Sequence, residues 1–171
     1  MPAGFTADSW QDLNAQVTSL YQKKEYKAAI PVADKALSAA ELQYGGGSAE
    51  AALSLNNLGM LYKKEKDYPK AEDFYQRALT ISEKLVGPDS PDLTVTLNNL
   101  AHLYAAEGEY GKSFTLCDRA VSILEKKYGP NDPNVATALK RYAKLERKAG
   151  KTADAEKLEA RAQAILGSRA S

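Results

Sequence analysis

The chain has 171 residues, 44% hydrophobic and 26% charged, with 23 basic and 22 acidic side chains and a net charge of +1. That length supports a real core, and the near-balance of charge excludes the strong basic excess of a general nucleic-acid binder. A single cysteine, Cys117, excludes an internal disulfide and a cysteine-based zinc site, and no apolar run approaches the roughly 20 residues of a membrane span.

The opening Met1-Pro2-Ala3-Gly4-Phe5-Thr6 has neither the basic start nor the apolar stretch of a signal peptide. The expected location is therefore cytoplasmic, with export after loss of a leader as the alternative. Residues 1–8 read as a lead-in. Ser9, with Asp12 three residues on, resembles a capping box, and Leu13, Val17 and Leu20 follow at helical spacing. A second helix over about 26–43 contains Pro31, which removes a backbone donor and predicts a bend near the first turn. Gly45-Gly46-Gly47 interrupts the chain; no Gly-Lys-Ser/Thr follows, so it is a connector and not a phosphate loop.

Ser48 is the predicted cap of a helix over about 49–65, and Pro69 takes the favoured first position of the next, which runs to about Val86. Gly87 suits a helix C-terminus. Ser90 caps and Pro91 opens a third pair over about 91–107 and 111–128, with Asp92 placed where the helix dipole favours negative charge. Asp132-Pro133 opens the fourth, whose first helix ends near Ala149-Gly150. The last helix, about 152–166, turns Ala155, Leu158, Ala162 and Ile165 inward, and residues 167–171 form a tail.

These helices are not independent. Leu55-Asn56-Asn57-Leu58 returns as Leu97-Asn98-Asn99-Leu100, 42 residues later, and Gly87-Pro88-Asp89-Ser90-Pro91 returns at the same offset as Gly129-Pro130-Asn131-Asp132-Pro133. Leu13, Tyr26, Ala29, Ala36, Leu37 and Gly45 repeat the pattern one period earlier; Leu139, Tyr142 and Ala143 carry it one period later. A fixed period of this size means stacked repeats. Small residues at Ala71, Ala78, Ser113 and Ala120 allow close helix approach, and Leu58, Tyr62 and Tyr75 fill the remaining space. One pair cannot bury its own apolar face, so pairs must stack. The prediction is an all-α, right-handed α-solenoid of four antiparallel helix pairs over 9–166, with repeats at about 9–47, 48–89, 90–131 and 132–166.

The order Leu55, Leu58, Gly59, Tyr62, Ala71, Tyr75, Ala78 resembles the tetratricopeptide repeat signature, whose usual period is about 34 residues. The 42-residue spacing, with Leu-Asn-Asn-Leu and a closing Gly-Pro-x-x-Pro, is similar to the repeats of kinesin light chain. Ser90 and Asp132 stand where that family often has His before the second Pro. The two central units match most fully, the outer two at core positions alone. The resemblance implies that the first helix of each unit lines a concave face along which peptides lie, and it implies no motor role.

Carried onto this chain, that face holds Asn14, Thr18 and Gln22, then Asn56, Asn57, Met60, Lys63 and Lys64. It continues with Asn98, Asn99, His102 and Ala106, and ends with Lys140, Arg141, Lys144, Arg147 and Lys148. Asparagine is a mediocre helix former, but its amide offers donors and an acceptor suited to an extended backbone. The alternative is an asparagine that tightens stacking between repeats. Lys140, Lys144, Arg147 and Lys148 share one helical face and attract carboxylates; Glu146 lies to one side. The alternative is a solvated surface at the open end.

His102 is the sole histidine and is read as groove-lining. Cys117 is read as a small buried hydrophobe, and Trp10 as a cover for the apolar end of the stack. No Ser/His/Asp, Cys/His or metal-ligand set exists, so no catalytic residue, metal or cofactor is expected. The expected function is a non-catalytic interaction module that binds a peptide segment, acidic in character, in the concave groove. Nucleic acid and membrane are not expected partners. The rival is a structural or assembly subunit whose array ends stack on other copies, by weak self-association, or on another subunit, burying Leu158, Ile165 and Leu166.

Overall fold

The computed structural model describes residues 9–167, so the lead-in over 1–8 and the tail beyond Gly167 lie outside the described residues. Among these residues there are eight α-helices, one 3₁₀ turn and no strand, and no helix is long and apolar enough to cross a membrane. They fall into two compact units, whose described parts are 9–85 and 86–167.

The first unit contains α1 (Trp10–Gln22), α2 (Tyr26–Tyr44), α3 (Ala49–Lys64) and nearly all of α4 (Tyr68–Val86). Ser9 caps α1 by accepting from the Asp12 N–H, and Ser48 caps α3 by accepting from the Ala51 N–H. Each cap satisfies one of the donors that a helix start leaves open. α2 stays helical through Pro31. α4 begins one residue earlier than expected, because Asp67 accepts from the Lys70 N–H and supplies the cap, leaving Pro69 at the second position. The core joins Val17, Ala29, Ala33, Leu58 and Leu61. Tyr75 of α4 is fully buried, and its ring lies against Gly59 of α3 so closely that a Cβ there would sit 2.7 Å from Cδ1 and Cε1. Glycine is therefore a packing requirement at that place. Trp10 is half-buried and donates from Nε1 to Ser54 Oγ at 2.9 Å, with its ring edge-on to Tyr44. It bolts α1 to α3 with a polar bond as well as covering apolar surface.

The second unit contains a 3₁₀ turn (Pro91–Leu93), α5 (Thr94–Glu107), α6 (Tyr110–Tyr128), α7 (Pro133–Lys148) and α8 (Thr152–Gly167). Ser90 caps the 3₁₀ turn through the Asp92 N–H, and α geometry starts only at Thr94, three residues after the expected start. Asp132 caps α7 through the Asn134 N–H. One buried cluster joins Ala101, Ala105, Phe114, Cys117, Tyr142 and Leu145; another joins Val121, Leu124, Val135, Leu139, Ala162 and Ile165 with their neighbours. Ala155, Ala162 and Ile165 point inward as expected, with Leu158 half-buried against both clusters.

The turn inside each pair is built the same way four times. Glu25, Asp67, Glu109 and Lys151 donate their N–H groups to the carbonyls of Leu20, Tyr62, Tyr104 and Glu146, five residues back, at 2.8 to 3.0 Å. That bond closes the helix end and requires a positive φ at the preceding residue. The occupants of that place are Lys24 (φ 63), Lys66 (φ 64), Gly108 (φ 84) and Gly150 (φ 79).

Candidate peptide-binding face

In the first unit, α1 and α3 bring the projected residues together. Asn57 donates from Nδ2 to Asn14 Oδ1 at 2.8 Å, so the stacking role weighed for these asparagines is a contact Asn57 makes. One such bond uses a single donor; an amide also has a second N–H and an oxygen with two lone pairs. Beside it lies a cavity of about 80 Å³ lined by Val17, Thr18, Tyr21, Asn57, Met60 and Leu61. Asn56, Met60 and Lys63 are half-buried on α3. Lys64 is exposed, with its ammonium 5.9 Å from the Tyr21 ring and 5.7 Å from the Tyr26 ring, a cation–π placement that leans it back onto the preceding pair.

In the second unit, Asn98 and Asn99 are half-buried on α5 and His102 is exposed. The basic stripe on α7 is not uniform. Arg147 makes a two-pronged ion pair with Glu159 of α8, Nε to Oε1 at 2.9 Å and a terminal nitrogen to Oε2 at 2.6 Å. An acid does neutralise it, from the facing helix and not from its own. Lys148 donates to the Ala105 carbonyl at 2.9 Å, closing the C-terminal end of α5. Lys140 lines a recess of about 360 Å³ with Gln163, Leu166 and Gly167 of α8. Arg141 and Lys144 are exposed and form no ion pair with a described residue, which leaves them, with Lys140, as the available charge on this helix.

Glu146 turns away from the stripe into the interior. Its residue exposure is 5%, and burial holds its carboxyl above the ordinary range; Lys151, 4.0 Å away, opposes that, while Asp154 and Asp118 reinforce it. Cys117 lies in the core, and burial, aided by Asp118 and Glu146, pushes its thiol up to about 12. Such a thiol is a packing group and no nucleophile at neutral pH. Among the described residues no group of three or more His, Cys, Asp or Glu side chains is placed to hold a metal ion.

Two further residues share a helix face with the asparagines, one in each unit. Leu53 on α3 is 43% exposed, and Val95 on α5, 42 residues on, is 62% exposed. Each precedes its asparagine pair by one helical turn, so the three-to-four spacing that groups Leu53 with Asn56, Asn57 and Met60 was readable. At the other end of the chain, Ile165 is consumed by the chain's own core, and of the three residues expected to mediate end-to-end assembly only Leu166 is substantially exposed.

Helix pairs with an identical turn, a 42-residue register and small residues at the crossing points define a helical-repeat protein. The chain belongs to the tetratricopeptide repeat family: the model for the Tetratricopeptide repeat matches residues 13–84 and 92–168. Comparison with curated protein sequences gives no match. Among solved structures, BtubC (BKLC) from P. vanneervenii aligns with a TM-score of 0.81 at 22% identity, covering 94% of this chain and 64% of that one. A Podosopora anserina protein described as a kinesin light chain with nearly identical TPR-like repeats aligns at 0.79 and 15% identity, over 94% and 76%. MamA aligns at 0.64 and 16% identity, over 94% and 80%. These likenesses show a tetratricopeptide-type α-solenoid fold. The chain spans 64% of the length of BtubC. Proteins of this family generally mediate protein–protein interaction.

Proposed function

We propose that the chain is an interaction module whose first helices of each pair hold an extended peptide segment of a protein partner, acidic in character. The observation that supports this is the convergence of Thr18, Asn57 and Met60 around a small, partly apolar cavity in the first unit, beside the bond from Asn57 to Asn14. Such a place offers amide donors and an acceptor for a peptide backbone beside room for one modest side chain. Arg141 and Lys144, exposed and unneutralised, support the preference for acid. Leu53 and Val95 add exposed apolar contact on the same helices. An affinity near micromolar, on the order of −8 kcal/mol, is the expected scale for such a ligand.

The test is to pan a library of extended peptides against the immobilised wild type, Asn57→Ala and the pair Arg141→Glu/Lys144→Glu. Expected are peptides rich in Asp and Glu whose binding falls at least about tenfold on charge reversal, and a general loss of binding in Asn57→Ala. Enrichment that ignores acidic content, or binding untouched by both variants, rejects the reading. Lys148 is left out of the reversal because its ammonium holds the end of α5.

A further inference from the structure

At the turn inside each pair, the repeats place charge differently. In the second repeat the Tyr62 ring, near the end of α3, lies 4.9 Å from the Lys70 ammonium, and Lys70 pairs with Asp67 at 3.0 Å. The third repeat does the same 42 residues on: the Lys112 ammonium lies 5.1 Å from the Tyr104 ring and 3.7 Å from Glu109. The first repeat has Leu20, Glu25 and Ala28 at these places, with neither the ring nor the lysine. In the fourth, all three members change. Glu146 takes the place of the ring, Lys151 that of the acid and Asp154 that of the lysine.

A carboxylate in a ring's place brings a full charge inward. The Glu146 side chain is 6% exposed, and its Oε2 has no hydrogen-bond partner among the described residues. Lys151 comes within 4.0 Å of that oxygen, which is ion-pair range but longer than a hydrogen bond, and half of its side chain is exposed. The same ammonium sits 4.5 Å from the centroid of the Phe114 ring, against which Tyr142 packs at 5.7 Å. Asp118 of α6 and Asp154 of α8 add negative charge around the carboxyl, and Asp154 also pairs with Lys157 at 3.0 Å. No group of described acids is placed to hold a metal ion. An aromatic face beside a buried carboxylate suits an alkylammonium instead. The chain's own lysine fills that seat without completing it.

We propose that the seat formed by Phe114 and Glu146, rimmed by Asp118 and Asp154, receives a lysine side chain of a protein partner, which displaces Lys151. The incoming ammonium gains what Lys151 lacks, a hydrogen bond to the Glu146 Oε2, and so satisfies a buried acceptor. Lys151, already half in solvent, gives up one long ion pair and one ring contact in leaving. The space it vacates is that of a four-carbon stem ending in a compact ammonium, a shape that the planar fork of arginine does not reproduce. None of these side chains belongs to the peptide-binding face, so the seat does not depend on that reading.

Lys151→Ala empties the seat in the full chain. n-Butylammonium, the stem and head of a lysine, should raise the melting temperature of this variant saturably. It should act at concentrations at least about tenfold lower than the wild type needs, because the wild type must release its own lysine. Lys151→Ala/Glu146→Gln should not respond, and uncharged butanol should not reproduce the effect. The wild type is then titrated with tetralysine and with its Nε-acetylated form, read by the Phe114 ring resonances in NMR. Expected is a saturable shift with the unmodified peptide alone, lost in Glu146→Gln. Equal responses of Lys151→Ala and the double variant would reduce the effect to bulk salt. A wild-type Phe114 ring indifferent to tetralysine would make Lys151 a permanent occupant. Either result overturns the proposal.

Discussion

In the first unit Gly59 lies under the Tyr75 ring; in the second, 42 residues on, Ala101 shares a buried cluster with Cys117. The same crossing is filled in one case by a large side chain against no side chain, and in the other by two small ones. In the second unit Phe114, Tyr142 and Leu145 share the cluster with these two small residues, so close packing is met there by different partners. The turns differ in a parallel way. The first unit places lysine in the left-handed conformation at 24 and 66, the second places glycine at 108 and 150. Both the close contact and the left-handed strain therefore sit in the first unit, although the backbone plan is shared.

The largest effect should come from breaking the crossing. Gly59→Ala should gain about 1 kcal/mol of helix propensity and lose more than that, since overpacking a tight core costs about 1–3 kcal/mol. Urea unfolding should show net destabilisation. If Gly59→Ala alone is as stable as wild type, the contact is not the reason for glycine.

Next in size is the bond that closes α5. Lys148→Glu should cost about 1–2 kcal/mol, as expected for a partly buried charge-assisted hydrogen bond. Lys144→Glu, on the same helix with no such contact, should stay within about 0.5 kcal/mol. The two variants separate a structural lysine from a recognition lysine by thermal melts alone.

Smaller still are the turns. Lys24→Gly and Lys66→Gly should each raise stability by up to about 1 kcal/mol by relieving left-handed strain, whereas Gly108→Lys should lower it by a similar amount. Equal responses in both units would remove the distinction.

The smallest effect is a pH dependence set by two carboxyls of the second unit. The Glu146 carboxyl is held above its ordinary value by burial, so the folded state binds its proton more tightly than the unfolded chain does. Stability at this group is lowest at neutral pH and rises as pH falls through the raised value. Glu159 runs the other way: Arg147 holds its carboxyl low, and that contribution is lost as pH falls through the depressed value. Glu146→Gln should therefore melt higher than wild type at pH 7, with the gap closing on acidification. A constant gap across pH would show that charge at 146 does not matter.

Local signals were legible in the chain. The 42-residue period, the caps at Ser9, Ser48 and Asp132, and the small residues at Ala71, Ala78, Ser113 and Ala120 all follow from spacing and side-chain chemistry within a few residues. What escaped depends on reach between helices. No spacing along α7 reveals that Glu159 across the turn will claim Arg147, or that Lys148 will find a carbonyl 43 residues back. The 3₁₀ start at Pro91 escaped as well, since Ser90 and Asp132 each bond the second N–H beyond them and only Ser90 is followed by a 3₁₀ turn. Of the candidate face, the asparagine positions were readable from their recurrence; the exposure of Leu53 and Val95 was not, because a leucine one turn from an asparagine serves equally well inside a core.

Cys117 has a practical corollary. With its thiol pushed up to about 12, Cys117 stays protonated at neutral pH, and the side chain is buried as well. Any cysteine introduced on the surface will outcompete it for maleimide or iodoacetamide by orders of magnitude. The wild-type background is already suited to attaching one fluorophore or spin label at a chosen repeat, and distances along the chain can be followed without first removing a native residue.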